Sequence, residues 1–346
     1  MKIIKKVLKW IGLSIGSLLS LIILAGLVVR IFGPTPHQQL GELVDIGDFK
    51  LHINSTGEKS NKPTLVIEGG GGTATEYYHW LSEGLKDSIR VVRYDRAGIG
   101  YSEASNTPRT PEVIARELHQ LLEKAGESPP YIMAGHSLGG PYIRVFTELY
   151  PDEVEAMFLL DATHPERVER ITSIPRESSW KYKLFIATQR AQVVLADMGI
   201  LMLYDMIAGP SFGRKMEGIP DEITNRTVDF LINGKYARAM TDEMEYYYST
   251  LQRAGRVTDF GTLPIRVFTS EDKEIPEDVY QKYLKKGKDL RKNQRISGDL
   301  QKDYLNLSTD SKLFEINGGH NTIYTKKENA AIICQEVIQL LGELEG

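Results

Sequence analysis

Cysteine is almost missing from this chain: Cys334 is the one example in 346 residues. An intramolecular disulfide framework is therefore excluded, as is a zinc or iron–sulfur site held by cysteines. A charge excess is missing too, since 42 basic residues face 46 acidic ones for a net charge of -4. With no basic patch interleaved with aromatics, nothing in the sequence invites nucleic acid. At 41% hydrophobic and 25% charged residues, the composition is that of a folded protein, neither disordered nor built from many membrane spans. One isolated apolar segment remains allowed.

The first thirty residues lack acid altogether. They hold Lys2, Lys5, Lys6, Lys9 and Arg30, which leaves 37 basic against 46 acidic residues in the rest. From Ile11 to Val29 run nineteen residues without a charge. As a helix at ~1.5 Å per residue they span about 28 Å, close to a hydrocarbon core of about 30 Å. Four lysines precede the run and one arginine follows, so the positive-inside bias places the N-terminus in the cytoplasm and everything after Pro34 outside. Trp10 falls where an interfacial aromatic would. A cleaved signal peptide is the competing reading, but the run is longer than a signal core and Leu27–Phe32 offers no small-residue cleavage site. The expected order is a cytoplasmic basic segment at 1–10, a transmembrane helix at 11–32 and a linker at 33–42 around Gly33-Pro34-Thr35-Pro36.

Beyond the linker, short apolar runs recur at Thr64–Ile67, Ile89–Tyr94, Tyr131–Ala134, Ala156–Leu160, Ile265–Thr269 and Leu313–Ile316. These are candidate buried parallel strands. Helical spacing lies between them, as in Val113, Ile114, Leu118, Leu121 and Leu122, and again at 139–150 and 328–344. The alternation predicts an α/β fold with a mainly parallel, doubly wound sheet. Residues 165–262 break the pattern with helices and loops, which predicts an inserted helical cap between core segments 43–164 and 263–346. The cap is rich in Met and aromatic residues, enough for a partly apolar pocket.

Gly135-His136-Ser137-Leu138-Gly139 follows the strand at 131–134 and opens a helix. Gly-x-Ser-x-Gly in that setting forms a sharp turn that lifts a nucleophilic serine above the sheet. The Leu138 amide then points at a developing oxyanion. A second donor is expected from Glu68-Gly69-Gly70-Gly71-Gly72, which follows the strand at 64–67; Gly70 is the first choice and Gly71 the next. No Gly-Lys-Ser/Thr ending or Gly-x-Gly-x-x-Gly spacing accompanies these glycines, so they do not read as a phosphate cradle.

These residues together resemble a serine hydrolase of the α/β-hydrolase fold, over nearly everything from Leu43 to Leu341. Tyr94-Asp95-Arg96-Ala97-Gly98-Ile99-Gly100-Tyr101-Ser102 is similar to that family's segment after the fourth strand. Tyr150-Pro151-Asp152-Glu153-Val154 is similar to its helix-to-strand link, and Leu159-Leu160-Asp161 to the end of its sixth strand. The resemblance implies an acid after the seventh strand and a histidine after the eighth. Gly318-Gly319-His320-Asn321 supplies the histidine, His320. The acid implied is Asp272, in Ser270-Glu271-Asp272-Lys273-Glu274-Ile275-Pro276, with Glu271, Glu274 and the sixth-strand Asp161 left as alternatives.

Glu68 departs from the family, which commonly carries histidine there, and reads as a residue bonded within its own loop. His136 reads as a packed neighbour of Ser137, His164 as a possible pocket residue, and Asp95 and Arg96 as structural ties. The sequons at Asn54, Asn225 and Asn306 carry little weight, because such triplets are common by chance. The expected chemistry is carboxylic ester hydrolysis through an acyl-enzyme, with Ser137 as nucleophile, His320 as base, Asp272 as orienting acid and the Gly70 and Leu138 amides as the oxyanion hole. No metal or organic cofactor is needed, and the expected partners are a small acyl substrate with an apolar portion and the membrane at 11–32. An anchored acyltransferase using the same residues, or an inactive binding protein on the same scaffold, are the alternatives.

Overall fold

A computed structural model of the chain describes residues 2–33, 38–208, 216–271 and 275–345. Its strands are β1 (Glu42–Asp45), β2 (Lys50–Thr56), β3 (Thr64–Glu68), β4 (Val91–Asp95), β5 (Tyr131–His136), β6 (Val154–Leu160), β7 (Ile265–Ser270) and β8 (Ser311–Ile316). They form one sheet in the order β1-β2-β4-β3-β5-β6-β7-β8. Pairing is parallel from β4 through β8, and β1 and β2 join antiparallel at the β4 edge. The six apolar runs of the sequence fall on β3 to β8. β2 has no such apolar run, because its Leu51 and Ile53 alternate with His52 and Asn54, polar side chains that are nonetheless buried.

The helices are α1 (Lys2–Phe32), α2 (His79–Leu85), α3 (Pro111–Lys124), α4 (Gly139–Leu149), α5 (Arg167–Arg170), α6 (Trp180–Asp197) and α7 (Ile200–Ala208). They continue with α8 (Asp221–Leu231), α9 (Gly234–Glu245), α10 (Tyr247–Ala254), α11 (Glu277–Leu284), α12 (Leu290–Asp303), α13 (Thr322–Thr325) and α14 (Lys327–Glu345). α3 shows how local sequence sets an element. Thr110 caps it by accepting the Val113 amide, Pro111 supplies a pre-set first turn, and Gly126 at φ 66° follows its end.

Side chains alternate between the sheet's two faces and build two cores. Val66, Met133, Leu159 and Val267 pack with Leu118 and Leu121 of α3 and Phe146 of α4. Ile67, Ile132, Phe158 and Phe268 pack on the opposite face with Leu81 and Leu85 of α2 and Val337 and Leu340 of α14. Each such side chain contributes about 1.5–3 kcal/mol on full burial. Cys334 lies in the second core, its thiol pushed up to about 12 by burial, so it packs as a small apolar group and is a poor nucleophile.

α5 to α10 lie between β6 and β7, and α11 and α12 form a further excursion between β7 and β8. α1 is a 31-residue helix whose apolar side chains are almost all exposed. Among the described residues it is the single unbroken helix long and apolar enough to cross a membrane. Parallel pairing sets Glu68 beside Gly135, His136 beside Leu160, Leu160 beside Phe268 and Ser270 beside Ile316. The loops that leave β3, β5, β6, β7 and β8 therefore gather along one edge of the sheet, where α/β folds place their ligands.

Candidate active site

Ser137 stands between β5 and α4 with φ 51°, a left-handed conformation that costs a non-glycine residue about 1–3 kcal/mol unless the surroundings impose it. The imposition is visible. The Ser137 amide donates to the Leu160 carbonyl (3.2 Å), and the Ser137 carbonyl accepts from the Gly140 (3.1 Å) and Thr163 (2.8 Å) amides. The turn also needs its small residues. A Cβ on Gly135 would stand 2.7 Å from the Gly139 carbonyl oxygen, and one on Gly139 would stand 2.3 Å from that of Glu68. The elbow read from the sequence is thus a backbone requirement, and Leu138 sits at the N-terminus of α4 immediately after the serine.

His320 follows β8. Its Nδ1 lies 2.6 Å from Oδ2 of Asp161, the residue directly after β6, while Oδ1 of the same carboxylate accepts from the Thr269 hydroxyl at 3.3 Å. Asp161 is also left-handed, at φ 43°, and its amide donates to the Phe268 carbonyl at 2.6 Å. The sequence expectation placed the acid at Asp272. Asp272 and Glu274 lie outside the described residues, and among those described the carboxylate bonded to His320 is Asp161. Glu271 is exposed and lines one cavity together with Ser137, Asp161 and His320. The physical reason is adjacency: β6 and β7 are neighbours in the sheet, so an acid at the end of either strand approaches the same histidine.

Gly70 is corrected. Its amide donates to the Tyr78 hydroxyl at 3.1 Å, which turns it away from an oxyanion role. Tyr78 in turn lies 3.4 Å from Nδ1 of His136, and Nε2 of His136 lies 3.0 Å from the His320 carbonyl. A carbonyl only accepts, so His136 carries its proton on Nε2 and receives the Tyr78 hydroxyl at Nδ1. Burial first, and then the neighbouring His320, hold His136 well below the ordinary histidine range, so it stays neutral. His136 is therefore a buried strut that holds the backbone of His320, and neither it nor Tyr78 stood out as such in the sequence.

The glycine loop is gripped by Arg96. This side chain donates to the Gly69 and Gly70 carbonyls at 2.7 Å each, to Glu68 at 2.5 Å, and through a bidentate pair to Glu243 of α9 at 2.7 and 2.9 Å. It also stacks over Tyr142 at 5.1 Å. Burial works against the Arg96 charge, but Glu243 and Glu68 outweigh it and hold its pKa well above the ordinary value. Burial raises the Glu68 pKa, opposed by Arg96 and by a hydrogen bond from the Tyr94 hydroxyl. Glu68 thus leaves its own loop to bind Arg96, and the pairing of Arg96 with Glu243 joins the glycine loop to α9. Asp95 serves as a tie, receiving the Thr75 and Tyr101 amides and His52. His164 accepts the Glu166 amide at 3.2 Å, and burial draws its pKa down to about 4.

Two chambers meet at the serine. One of about 510 Å³ is lined by Ser137, Leu138, Asp161 and His320 together with polar side chains such as Arg167 and Gln301. The other, about 370 Å³, shares Gly71, Ser137 and His320 with it. An apolar side chamber of about 290 Å³ shares Met244 and Tyr247 with the first. With Nδ1 of His320 engaged by a carboxylate, its Nε2 is the nitrogen left to take a proton.

This sheet order, with a strained serine at a central strand end and a histidine–carboxylate pair beside it, is the arrangement of the α/β-hydrolase fold. The α/β-hydrolase fold family model matches residues 62–192. An uncharacterized Bacillus subtilis protein, YbdG, is 30% identical over 173 residues, covering 48% of this chain and 53% of that protein. The matched stretches span about half or less of the length of the first curated relatives. Among solved structures, a candidate lipase from Acinetobacter baumannii superposes with a TM-score of 0.57 at 20% identity, covering 88% of this chain and 91% of that one. A candidate acyltransferase from Salmonella enterica gives a TM-score of 0.57 at 15% identity, covering 85% and 91%. At these identities the likeness is one of fold.

Proposed function

We propose that the protein is a membrane-tethered serine hydrolase that cleaves carboxylic esters through an acyl-enzyme, with Ser137 as nucleophile, His320 as base and Asp161 as the orienting acid. The observation that carries this reading is the 2.6 Å contact between His320 and Asp161 at the rim of the chamber that also exposes Ser137. His320 Nε2 takes the Ser137 proton as the serine oxygen attacks the ester carbonyl, and Asp161 stabilises the imidazolium through Nδ1. The tetrahedral oxyanion is held by the Leu138 amide and, in place of Gly70, by the Gly71 amide, each worth about 2.7–4 kcal/mol in such sites. Collapse expels the alcohol, which receives the proton from His320. Water then donates its proton to His320 and attacks the acyl carbonyl, and collapse releases the acid as His320 returns the proton to the Ser137 oxygen.

α1 supplies the tether, with Lys2 to Lys9 on the cytoplasmic side and the hydrolase on the other. The test of the chemistry is labelling by a fluorophosphonate, lost in Ser137→Ala. Protease protection of an N-terminal tag in sealed vesicles tests the orientation.

A further inference from the structure

A surface helix ordinarily shows water its charged side. α6 does the reverse. Trp180, Leu184, Ala187, Ala191, Val194 and Leu195 recur at helical spacing and are all exposed, with Trp180 at 69% and Leu184 at 54%. No charge interrupts that stripe. Lys181 lies on one flank, and Lys183 and Arg190 on the other. α7, bent by 79° from α6, continues the apolar surface with Tyr204, Met206 and Ile207, the last 78% exposed.

This surface begins at the tether. Gly26 of α1 sits so close to the turn between α6 and α7 that a Cβ there would stand 2.5 Å from the Met198 carbonyl oxygen. The Arg30 guanidinium donates to the Asp197 carbonyl, which fixes the far end of α1 against the same turn. On its other side, α6 adjoins the catalytic chambers. Tyr182 and Phe185 of α6 line the apolar side chamber, whose Met244 and Tyr247 also line the chamber at Ser137.

We propose that α6 and α7 rest in the outer leaflet of the membrane that α1 enters, and that the enzyme draws a lipid acyl ester from that leaflet through the side chamber to Ser137. This rests on the reading of α1 as a tether and Ser137 as nucleophile. A stripe of Trp and aliphatic side chains flanked by lysines is the composition of a helix lying in a lipid headgroup boundary. Burial in a leaflet removes from water the side chains that the cap leaves exposed. The position of α1 places that leaflet within reach without rearrangement of the cap.

The full chain is reconstituted in phosphatidylcholine–phosphatidylglycerol vesicles, with an environment-sensitive fluorophore on Leu184→Cys; the buried thiol of Cys334 does not compete for the label. Expected is strong quenching by nitroxide-bearing lipid and protection from aqueous iodide. Quenching by iodide alone overturns the proposal, and so does shielding from both quenchers, which would place a protein partner or a second copy on the stripe. In parallel, the double variant Leu184→Glu, Val194→Glu is expected to keep its turnover of a short soluble ester and to lose at least about tenfold on a long-chain ester embedded in the vesicles. Equal turnover of the embedded ester by both proteins contradicts the lipid route. If the unaltered protein cleaves neither ester, the hydrolase reading fails, while the quenching result still decides the membrane contact.

Discussion

Nδ1 of His320 and Oδ2 of Asp161 stand 2.6 Å apart although 159 residues separate them, and the left-handed turn at Asp161 brings them together. That turn is bonded both to β7, through Phe268, and to Ser137, through the Leu160 carbonyl next to it. Ser137 and Asp161 therefore share one rigid backbone unit, with His320 docked against it. Asp161→Asn is expected to lower kcat by about 10⁴-fold, because the amide favours the wrong imidazole tautomer. Asp272→Asn is expected to leave kcat nearly unchanged. Steady-state rates on a p-nitrophenyl ester check both, and the opposite ranking would return the acid to the loop after β7.

Arg96 sits between Glu68 and Glu243, with its side chain 2% exposed. Arg96→Met leaves two buried carboxylates without their cation and is expected to cost about 3–5 kcal/mol of stability. Denaturant unfolding in detergent measures it. Arg96→Lys is expected to recover little, since an ammonium cannot match the bidentate pair to Glu243 while also holding two carbonyls.

Tyr78→Phe removes the acceptor of the Gly70 amide and the donor to His136. An unsatisfied buried group of this kind costs about 1–3 kcal/mol, readable as a fall in melting temperature. Because His136 supports the His320 backbone, kcat is expected to fall while KM is unchanged.

His52 is held by Asp95 at 2.7 Å and by the Leu40 carbonyl at 2.6 Å. Burial alone would lower its pKa, but the Asp95 carboxylate and the Leu40 carbonyl outweigh burial and raise it above the ordinary 6.5. A raised folded-state value means a stabilising contribution fully present below the ordinary value and lost as pH rises through the raised one. The deficit in melting temperature of His52→Gln relative to the unaltered protein is therefore expected to be largest near about pH 5.5 and to shrink toward alkaline pH. A deficit that grows with pH would contradict the doubly bonded imidazolium.

What the sequence made legible follows local rules. The Ser137 elbow was readable because one turn demands glycines two residues either side of the serine. The strands β3 to β7 were readable because burial on both faces makes them nearly continuous apolar runs, and β8 because Leu313, Phe314 and Ile316 still cluster at the sheet edge. For the acid the sequence left Asp272, Glu271, Glu274 and Asp161 open, since the choice depends on which of two neighbouring strand ends meets His320. The engagement of the Gly70 amide was not legible, because its partner Tyr78 lies eight residues further on and outside the glycine run. The pairing of Arg96 with Glu243, 147 residues apart, has no local signature at all.

The most direct measurement is fluorophosphonate labelling of the full chain followed by peptide mapping. The account predicts one label, on Ser137, absent from Ser137→Ala and strongly slowed in His320→Ala. A label on another residue, or equal labelling of Ser137→Ala, would contradict it.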